Sequence, residues 1–479
     1  MKKHNKILAL SIMTLAFGAL ASCSMAKFSA KLSDGGYGGG TSITGDRTGS
    51  GDAGYSGDAP DSGPSVAGEG DDIGAPEIGG DTPAPDVSGE GETGVPDDDY
   101  SETSDDGDIS GEVEPGEGED GDEPVSNEQI AAGQLTAACY DDNEHYQYWK
   151  NLGRKGQDGE IYFNCASSYA FKTYNRIKLQ LPKDLDAKVD LYEGGKVTFS
   201  TYSLKSGEVY LFAQNEASNY QVKVTYEKNG EKITEDFTVA DGDSLRLEGV
   251  AQERNKIQVM FVIDYTGSMG DECEYLSAEV NDVITRVASQ YSDTDIYTSA
   301  IGYKDHGDDF VVKSSQFTTN ILKTQNFISA NHASGGGDYE EAVDEAMAAA
   351  ADAQWYGANT TKIIFHIADA PAHDKKVSAW NDAVLKLAAQ DVKICTVASS
   401  GIDVGCEYLF RSQSILTGGK YIYLTDDSGI GNPHHISNVE EKPTVEYLNS
   451  CMARVISGYH TGKFEKAVPY KQENSNYQQ

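Results

Sequence analysis

The chain has 479 residues and a formal net charge of -39 at pH 7, because 77 acidic residues outnumber 38 lysines and arginines. So acidic a chain repels phosphate backbones and anionic membrane surfaces, which argues against nucleic-acid binding. Any attachment to a membrane therefore needs a separate device. The length exceeds that of one ordinary domain and is enough for two or three.

The first residues have the pattern of an export signal. Three lysines precede a largely apolar run from Ile7 to Ala21, which suits a signal peptide and is too short to span a bilayer. The run ends in Leu20-Ala21-Ser22-Cys23, which resembles the bacterial lipobox, where cleavage precedes a cysteine that is then acylated. We expect residues 1–22 to be a signal peptide and Cys23 to carry a lipid anchor in the cell envelope. The alternative is an ordinary secretory signal with an incidental cysteine.

Residues 23–127 are predicted to form a disordered, acidic stalk. From Lys31 to Asn127 there are 27 acidic residues, two basic residues and almost no large apolar side chains. Burial of such a composition cannot offset the entropy of folding, and its like charges extend the chain. Calcium binding by the aspartate runs is the alternative, but none of these runs has the spacing of an EF-hand loop.

Six cysteines lie in residues 128–479, and an even number in an exported protein favours disulfides. Several connectivities are possible, and a bridge between Cys139 and Cys165 is the best local hypothesis. Cys395 lies in a mostly apolar run, where a buried thiol is as good an interpretation as a bridge.

Residues 176–250 alternate apolar and polar side chains in short segments that are typical of β-strands. The dipeptides Gly194-Gly195 and Asn229-Gly230 separate such segments, which is the signature of β-hairpins. The pattern predicts a small antiparallel β-sandwich. It loosely resembles the carboxypeptidase-regulatory and collagen-adhesin B-type modules that serve as spacers. Residues 128–175 have no assignment, and residues 461–479 are a C-terminal tail.

From Lys256 onward, apolar strands alternate with amphipathic helices. This alternation predicts a doubly wound α/β fold with a mostly parallel sheet that is covered on both faces. Ligands in such folds bind outside the carboxyl ends of the strands. The predicted strands are 257–263, 296–303, 362–368, 392–398 and 420–424, and one long helix is expected near 271–291.

Oxygen-bearing side chains follow two of these strands. The first strand ends in Asp264-Tyr265-Thr266-Gly267-Ser268, and Ala368-Asp369-Ala370-Pro371 closes a later one. One carboxylate and two hydroxyls at this spacing can turn toward one point and supply the hard ligands that Ca²⁺, Mg²⁺ or Mn²⁺ requires. Gly335-Gly336-Gly337-Asp338 precedes another predicted helix.

With these three motifs, residues 255–460 resemble a von Willebrand factor A domain. Asp264, Thr266 and Ser268 match the Asp-x-Ser-x-Ser motif of its metal-ion-dependent adhesion site, with threonine at the middle position. The combination is most similar to the A domains of hemicentins and of some alpha-type kinases. The resemblance implies that these three residues hold a divalent cation and that Asp338 and Asp369 complete or orient its ligand shell, directly or through water.

Two departures from the integrin-type pattern affect this interpretation. Asp338 stands where that pattern usually has a threonine ligand, and Thr266 occupies the middle of the first motif. Three carboxylates around one ion should favour Ca²⁺ and make it a weaker acceptor for an acidic ligand. Asp338 has an alternative role, since Glu341 follows three residues later and the two together indicate an N-cap for a helix from Tyr339 to Ala353.

Other candidates for chemistry are His306, His366 and His373. No nucleophile elbow, Walker loop or zincin motif accompanies them in the sequence, so an enzyme is not predicted. His366 lies inside an apolar strand and is predicted to be a core residue with satisfied hydrogen bonds. His373 and Asp374 fit a solvated loop better than the rim of the metal site.

The sequence therefore predicts a surface protein that binds a protein or extracellular matrix partner through a divalent cation. An acidic side chain of the partner would fill an open coordination position of that cation. The alternative is a structural scaffold of the cell envelope, in which the ion only stabilises the fold.

Overall fold

The structure is a computed structural model, and it describes residues 130–154, 161–249 and 251–477. The predicted signal peptide, Cys23 and the acidic stalk lie outside these ranges and remain predictions. Within the described ranges, none of the helices combines the length and the apolar character that crossing a membrane requires.

The first described elements belong to the segment that had no assignment from sequence. They are one strand and two short helices: β1 (Thr136–Tyr140), α1 (Tyr146–Leu152) and α2 (Ile161–Ser168).

An antiparallel β region follows, as the alternating pattern predicts. Its strands are β2 (Arg176–Gln180), β3 (Lys188–Glu193), β4 (Lys196–Tyr202), β5 (Glu208–Phe212), β6 (Tyr220–Lys228) and β7 (Glu231–Val239). They are arranged as the sheets β4-β3-β6-β7 and β2-β5. Both predicted hairpin turns are present, and all four of their residues have positive φ, the left-handed conformation that glycine and asparagine tolerate best.

The remaining elements alternate between strands and helices. In chain order they are β8 (Lys256–Asp264), α3 (Gly270–Gln290), β9 (Asp295–Tyr303), β10 (Val312–Ser314), α4 (Ile321–Ser329), α5 (Val343–Asp352), β11 (Thr360–Ala368), α6 (Val377–Ala388), β12 (Val392–Ala398), α7 (Val404–Thr417), β13 (Tyr421–Leu424), β14 (Val445–Tyr447), α8 (Leu448–Thr461) and α9 (Tyr470–Tyr477).

One sheet of eight strands organises this part of the chain, in the order β10-β9-β8-β11-β12-β13-β1-β14. Strands β9, β8, β11, β12 and β13 are parallel, whereas β10 and β1 run against their neighbours. The predicted mostly parallel sheet is confirmed. Strand β1 also belongs to it, so the sheet uses residues outside the predicted limits 255–460.

A separate hydrophobic cluster covers each face of the sheet. Along β8, Val259, Phe261 and Ile263 pack into the cluster that contains residues of α3 and α8, while Met260 and Val262 pack into the other. This division follows from the two-residue period of a strand, whose successive side chains point to opposite faces. The strands are consequently apolar on both sides.

The structure contradicts the predicted disulfide between Cys139 and Cys165. The six cysteines of the described residues are free thiols. Cys165 packs in the same cluster as Tyr140, whereas Cys139 packs on the opposite face of the sheet. Since adjacent residues of a strand alternate between faces, β1 cannot present Cys139 to Cys165. Cys395 is a fully buried thiol.

The predicted helix from Tyr339 to Ala353 begins later than expected. Helix α5 starts at Val343 with Ala342 at its N-cap position, so Asp338 does not cap it. The Glu341 amide instead donates to the Pro371 carbonyl at 2.9 Å, which holds the preceding chain against the loop after β11. The capping interpretation of Asp338 and Glu341 is therefore wrong.

Candidate metal centre

Three loops meet at the carboxyl edge of the parallel sheet, and backbone hydrogen bonds join them. The first loop follows β8, the second contains Gly335, and the third follows β11. The Gly267 amide donates to the Gly335 carbonyl at 3.2 Å, and the Ser334 amide donates to the Tyr265 carbonyl at 3.0 Å. The bond from Glu341 to Pro371 connects the second loop to the third.

Three of the five predicted ligands are linked by hydrogen bonds at this edge, and a fourth, Asp369, interacts electrostatically with two of them. Asp264 is fully buried, and its Oδ1 accepts bonds from the Thr266 amide at 2.9 Å and the Thr266 hydroxyl at 2.7 Å. The Ser268 hydroxyl lies 3.4 Å from that of Thr266, and it also lowers the pKa of Asp369. The short spacing of the first motif therefore brings its oxygens together, as the sequence predicts.

Four buried carboxylate oxygens at this edge have no hydrogen-bond partner. They are Asp264 Oδ2, Asp369 Oδ1, Glu341 Oε2 and Glu272 Oε2, the last on the first turn of α3. Leaving such an oxygen buried and unpaired is costly, and a divalent cation is the partner that carboxylates and hydroxyls fit best. The residues present therefore suit a hard cation.

Burial and mutual repulsion also raise the pKa values of these carboxyl groups. Burial raises the pKa of Asp264 to about 7, with the nearby Asp369 as the next cause. Burial raises the pKa of Asp369 to about 6. For Glu341, burial and then the charge of Asp264 raise the pKa to about 9. A bound cation would reverse these effects, because it favours the ionised form.

Glu341 is a candidate ligand that sequence reasoning missed. A Cβ at Gly336, where φ is +78°, would lie 3.1 Å from Glu341 Oε1 and 3.5 Å from the Thr266 Cβ. The glutamate therefore lies beside the first motif with little room to spare. Its one sequence signal was an acidic residue three positions after Asp338, which also fits a helix cap.

Asp338 lies in a neighbouring group of side chains. Asp338 is exposed, and its carboxylate lies near the carboxylate of Asp305 and the imidazole of His373. One possible ligand atom from each of these three residues lies within 4.8 Å of the other two. The His373 Nε2 is 3.1 Å from Asp305 Oδ1. This group also has the composition of a cation site, and His373 belongs to it.

Further carboxylates surround the three loops. Asp308 accepts bonds from the Gly336 amide at 3.0 and 3.2 Å, and the fully buried Glu272 accepts one from the Ser400 amide at 3.1 Å. Concentrated negative charge at one edge attracts cations.

His366 is a satisfied core residue, as predicted. It is fully buried, and its Nδ1 lies 2.8 Å from the Gln413 amide nitrogen. Its Nε2 lies 3.0 Å from the hydroxyl of Tyr303, which also approaches Asp264 and lowers its pKa. The imidazole thus lies in the domain core beneath the candidate metal centre and does not face solvent.

The fold is an open α/β sheet that carries carboxylates and hydroxyls on three loops at its carboxyl edge. Residues 258–413 match the family model of the von Willebrand factor A domain. The chain therefore contains a von Willebrand factor A domain, and the expected resemblance is confirmed.

Two curated proteins each match about a third of the chain. The alpha-protein kinase vwkA of Dictyostelium discoideum is 26% identical over 175 residues, which are 36% of this chain and 27% of the kinase. A putative ariadne-like RING finger protein of Acanthamoeba polyphaga mimivirus is 28% identical over 187 residues, which are 35% of this chain and 18% of that protein. The chain thus spans less than a third of either relative.

Two solved bacterial structures are also similar. The protein BatB from Bacteroides thetaiotaomicron covers 46% of this chain and 95% of its own, at 13% identity and a TM-score of 0.25. An aerotolerance-related membrane protein from Bacteroides fragilis covers 46% of this chain and 97% of its own, at 13% identity and a TM-score of 0.24.

Proposed function

We propose that the A domain binds a protein or extracellular matrix partner through a divalent cation. Von Willebrand factor A domains commonly mediate protein interactions and often bind such an ion. In this chain, Asp264, Thr266, Ser268 and Asp369 would hold the cation, together with Glu341. The group has a binding role in this proposal and no catalytic one.

The observation that carries the proposal is that three buried carboxylates with an unpaired oxygen and two hydroxyl groups lie on the three adjoining loops. A cation supplies the positive charge that these buried oxygens lack. When bound, it also offers a coordination position that an acidic side chain of a partner can fill. So many carboxylates favour Ca²⁺ over the smaller Mg²⁺, which demands a strict octahedral geometry.

Asp338 has a less direct part in the proposed centre. Because it is exposed and lies beside Asp305 and His373, we assign it to orienting the ligand shell through water. A direct bond to the same ion, or to a second ion shared with His373, is the alternative that titration of its variants distinguishes.

The proposed location of the protein, the cell envelope, is based on the lipobox-like sequence that ends at Cys23. Acylated Cys23 would anchor the protein in the cell envelope, and the acidic residues up to 127 would separate the anchor from the A domain. Replacing Cys23 with serine should release the protein from the membrane fraction. If the Cys23→Ser variant still fractionates with membranes, the lipoprotein proposal is wrong.

Affinity capture from envelope extract tests the binding function. The full chain should retain a partner in the presence of Ca²⁺ and lose it when a chelator is added, and Asp264→Ala should retain none. Asp236→Ala is the matched control, since Asp236 is a largely exposed carboxylate on β7 that is remote from the three loops. Cation binding without any chelator-sensitive partner would favour a structural envelope scaffold instead.

A further inference from the structure

Cys139 and Cys451 lie side by side although they are far apart in the sequence. Cys139 is on β1, and Cys451 is in the first turn of α8. Each thiol is the largest influence on the pKa of the other, and Arg454, which lines a cleft with Cys139, has its Nη2 atom 4.0 Å from the Cys451 Sγ. Both pack into the same hydrophobic cluster on one face of the sheet.

Backbone pairing holds the two cysteines in this position. Strand β1 pairs with β14, with Thr136 opposite Tyr447, and α8 begins at the next residue. The Leu448 amide donates to the Leu135 carbonyl at 2.9 Å. Helix α8 therefore starts beside β1, on the face to which Cys139 points.

The other described cysteines are poor partners for Cys139. Cys139 lies opposite Ile422 of β13, which in turn lies opposite Val397 of β12. Cys395 is thus at least two strand spacings from Cys139, about 9.6 Å, beyond the roughly 7 Å that a disulfide allows between Cα atoms. Cys165 and Cys406 pack on the opposite face. The Cys273 thiol bonds to the Asp264 carbonyl at 3.5 Å, at the carboxyl edge.

The two thiols differ in access and in acidity. Cys139 is partly exposed and lines a cleft of about 450 Å³ together with Lys420 and Arg454, whereas Cys451 is fully buried. The neighbouring Cys451, helped by those two cations, lowers the pKa of Cys139, while the neighbouring Cys139 and burial raise the pKa of Cys451. Cys139 is therefore the thiol that becomes a thiolate first, and the thiolate is the nucleophile.

We propose that Cys139 and Cys451 are a modification site that forms a disulfide in an oxidising compartment, joining β1 to α8. The oxidant is a disulfide, either that of a dithiol oxidoreductase or glutathione disulfide. The Cys139 thiolate attacks it, forms a mixed disulfide and expels one thiolate. Cys451 then loses its proton and attacks the Cys139 sulfur, expelling the second thiolate. In total, two electrons and two protons pass from the cysteines to the oxidant.

Mass spectrometry of the full chain tests this site. The reduced protein is incubated with glutathione disulfide, its remaining thiols are alkylated under denaturing conditions, and it is digested without reductant. We expect a cross-linked peptide pair containing Cys139 and Cys451, two hydrogens lighter than the separate peptides. Alkylation of both cysteines, or a stable bridge from either one to another cysteine, would overturn the proposal.

Three variants control the experiment. Cys139→Ser and Cys451→Ser should each remove the cross-linked pair, whereas Cys395→Ser should retain it because that thiol is beyond reach. In wild type the oxidised protein should melt at a higher temperature than the reduced one, and Cys139→Ser should lose this difference. If the serine variants fail to fold, the peptide map of the oxidised wild-type protein is sufficient to test the proposed disulfide.

The metal proposal and the disulfide proposal can be tested independently of each other. The pair lies away from the three loops, so Asp264→Ala should form the cross-link as wild type does. A variant that loses cation binding yet forms the bridge supports both assignments. Loss of the bridge in Asp264→Ala would contradict the independence of the site.

Discussion

The His366 Nε2 atom lies 3.0 Å from the Tyr303 hydroxyl oxygen, and this contact connects the domain core to the candidate metal centre. The Gln413 amide donates to the other ring nitrogen, Nδ1, at 2.8 Å. The imidazole therefore carries its proton on Nε2 and donates it to Tyr303, whose hydroxyl lowers the pKa of Asp264. We expect Tyr303 to favour the ionised form of that carboxylate, which is the form that binds a cation.

Replacing Tyr303 with phenylalanine should weaken cation binding without unfolding the domain. The ring is conserved in size, but Asp264 loses a neighbouring hydroxyl that favours its ionised form, and loss of such an outer partner typically costs about tenfold or more in metal affinity. Calorimetric titration with Ca²⁺ measures the change. Tyr356→Phe, at an exposed ring remote from the loops, is the control. Equal affinity in Tyr303→Phe and wild type would show that the Tyr303 hydroxyl does not influence the centre.

Asp264→Ala should abolish cation binding while the sheet stays folded. Removal of one buried carboxylate relieves repulsion with Asp369, so the cation-free variant should melt no lower than cation-free wild type. In wild type, cation at a hundred times the dissociation constant should add about 2.7 kcal/mol to the free energy of unfolding. Differential scanning calorimetry with and without Ca²⁺ compares the two proteins. An equal cation-dependent rise in both would contradict the assignment of the centre.

Glu341→Gln should reduce cation affinity more than Asp338→Asn does. Glu341 is buried with one unpaired oxygen, whereas Asp338 is exposed and lies with Asp305 and His373. Titrations of both variants with Ca²⁺, Mg²⁺ and Mn²⁺ rank their contributions. A larger loss in Asp338→Asn would show that Asp338 ligates directly, and loss of only one of two binding events would indicate a second ion.

His366 should make the domain less stable as the pH falls. Burial lowers the pKa of His366 from 6.5 to about 3, so between these values the unfolded chain binds a proton that the folded one does not. Stability therefore rises with pH in this window, and the contribution lost between about pH 7.5 and about pH 4.5 is about 3 kcal/mol.

Urea unfolding of wild type and His366→Gln at these pH values isolates this contribution. The variant should lose less stability on acidification than wild type does. Asp264 and Glu341 act with the opposite sign, since their pKa values are raised in the folded state, but they are present in both proteins and cancel in the comparison. Parallel pH profiles would show that His366 does not titrate as proposed.

Asp142→Ala should destabilise the domain by about 3 kcal/mol or more, because it leaves a buried cation without its main partner. Arg411 of α7 is fully buried, and its Nε donates to Asp142 at 3.0 Å while its Nη1 donates to Glu407 at 2.9 Å. Urea unfolding measures the loss. Asp236→Ala, which removes an exposed carboxylate, should change the free energy of unfolding by less than about 0.5 kcal/mol. Similar values for the two variants would contradict the structural role of the Arg411 pair.

Local patterns were enough to predict most of the strands, the two hairpin turns and the clustering of oxygen atoms in the first motif. Apolar strands such as β8 and β11 have a periodic signal of their own, and Gly194-Gly195 specifies its turn by backbone conformation alone. Asp264, Thr266 and Ser268 are neighbours in the chain, so one turn brings their oxygens together. The parallel topology then determines that Asp369, after the adjacent strand, lies at the same edge.

Contacts between distant parts of the chain were decided only by the tertiary structure. No local sequence pattern in β1 indicates that it pairs with β13 and β14. Without that pairing, the proximity of Cys139 and Cys451 could not be inferred. Glu341 lies at the candidate centre because its backbone amide bonds to the Pro371 carbonyl. The local sequence around Glu341 does not predict that hydrogen bond. Sequence thus determined which elements form and which oxygens their ends carry. The packing of elements far apart in the chain decided which side chains meet, because contacts between distant residues produce no periodic pattern in the sequence.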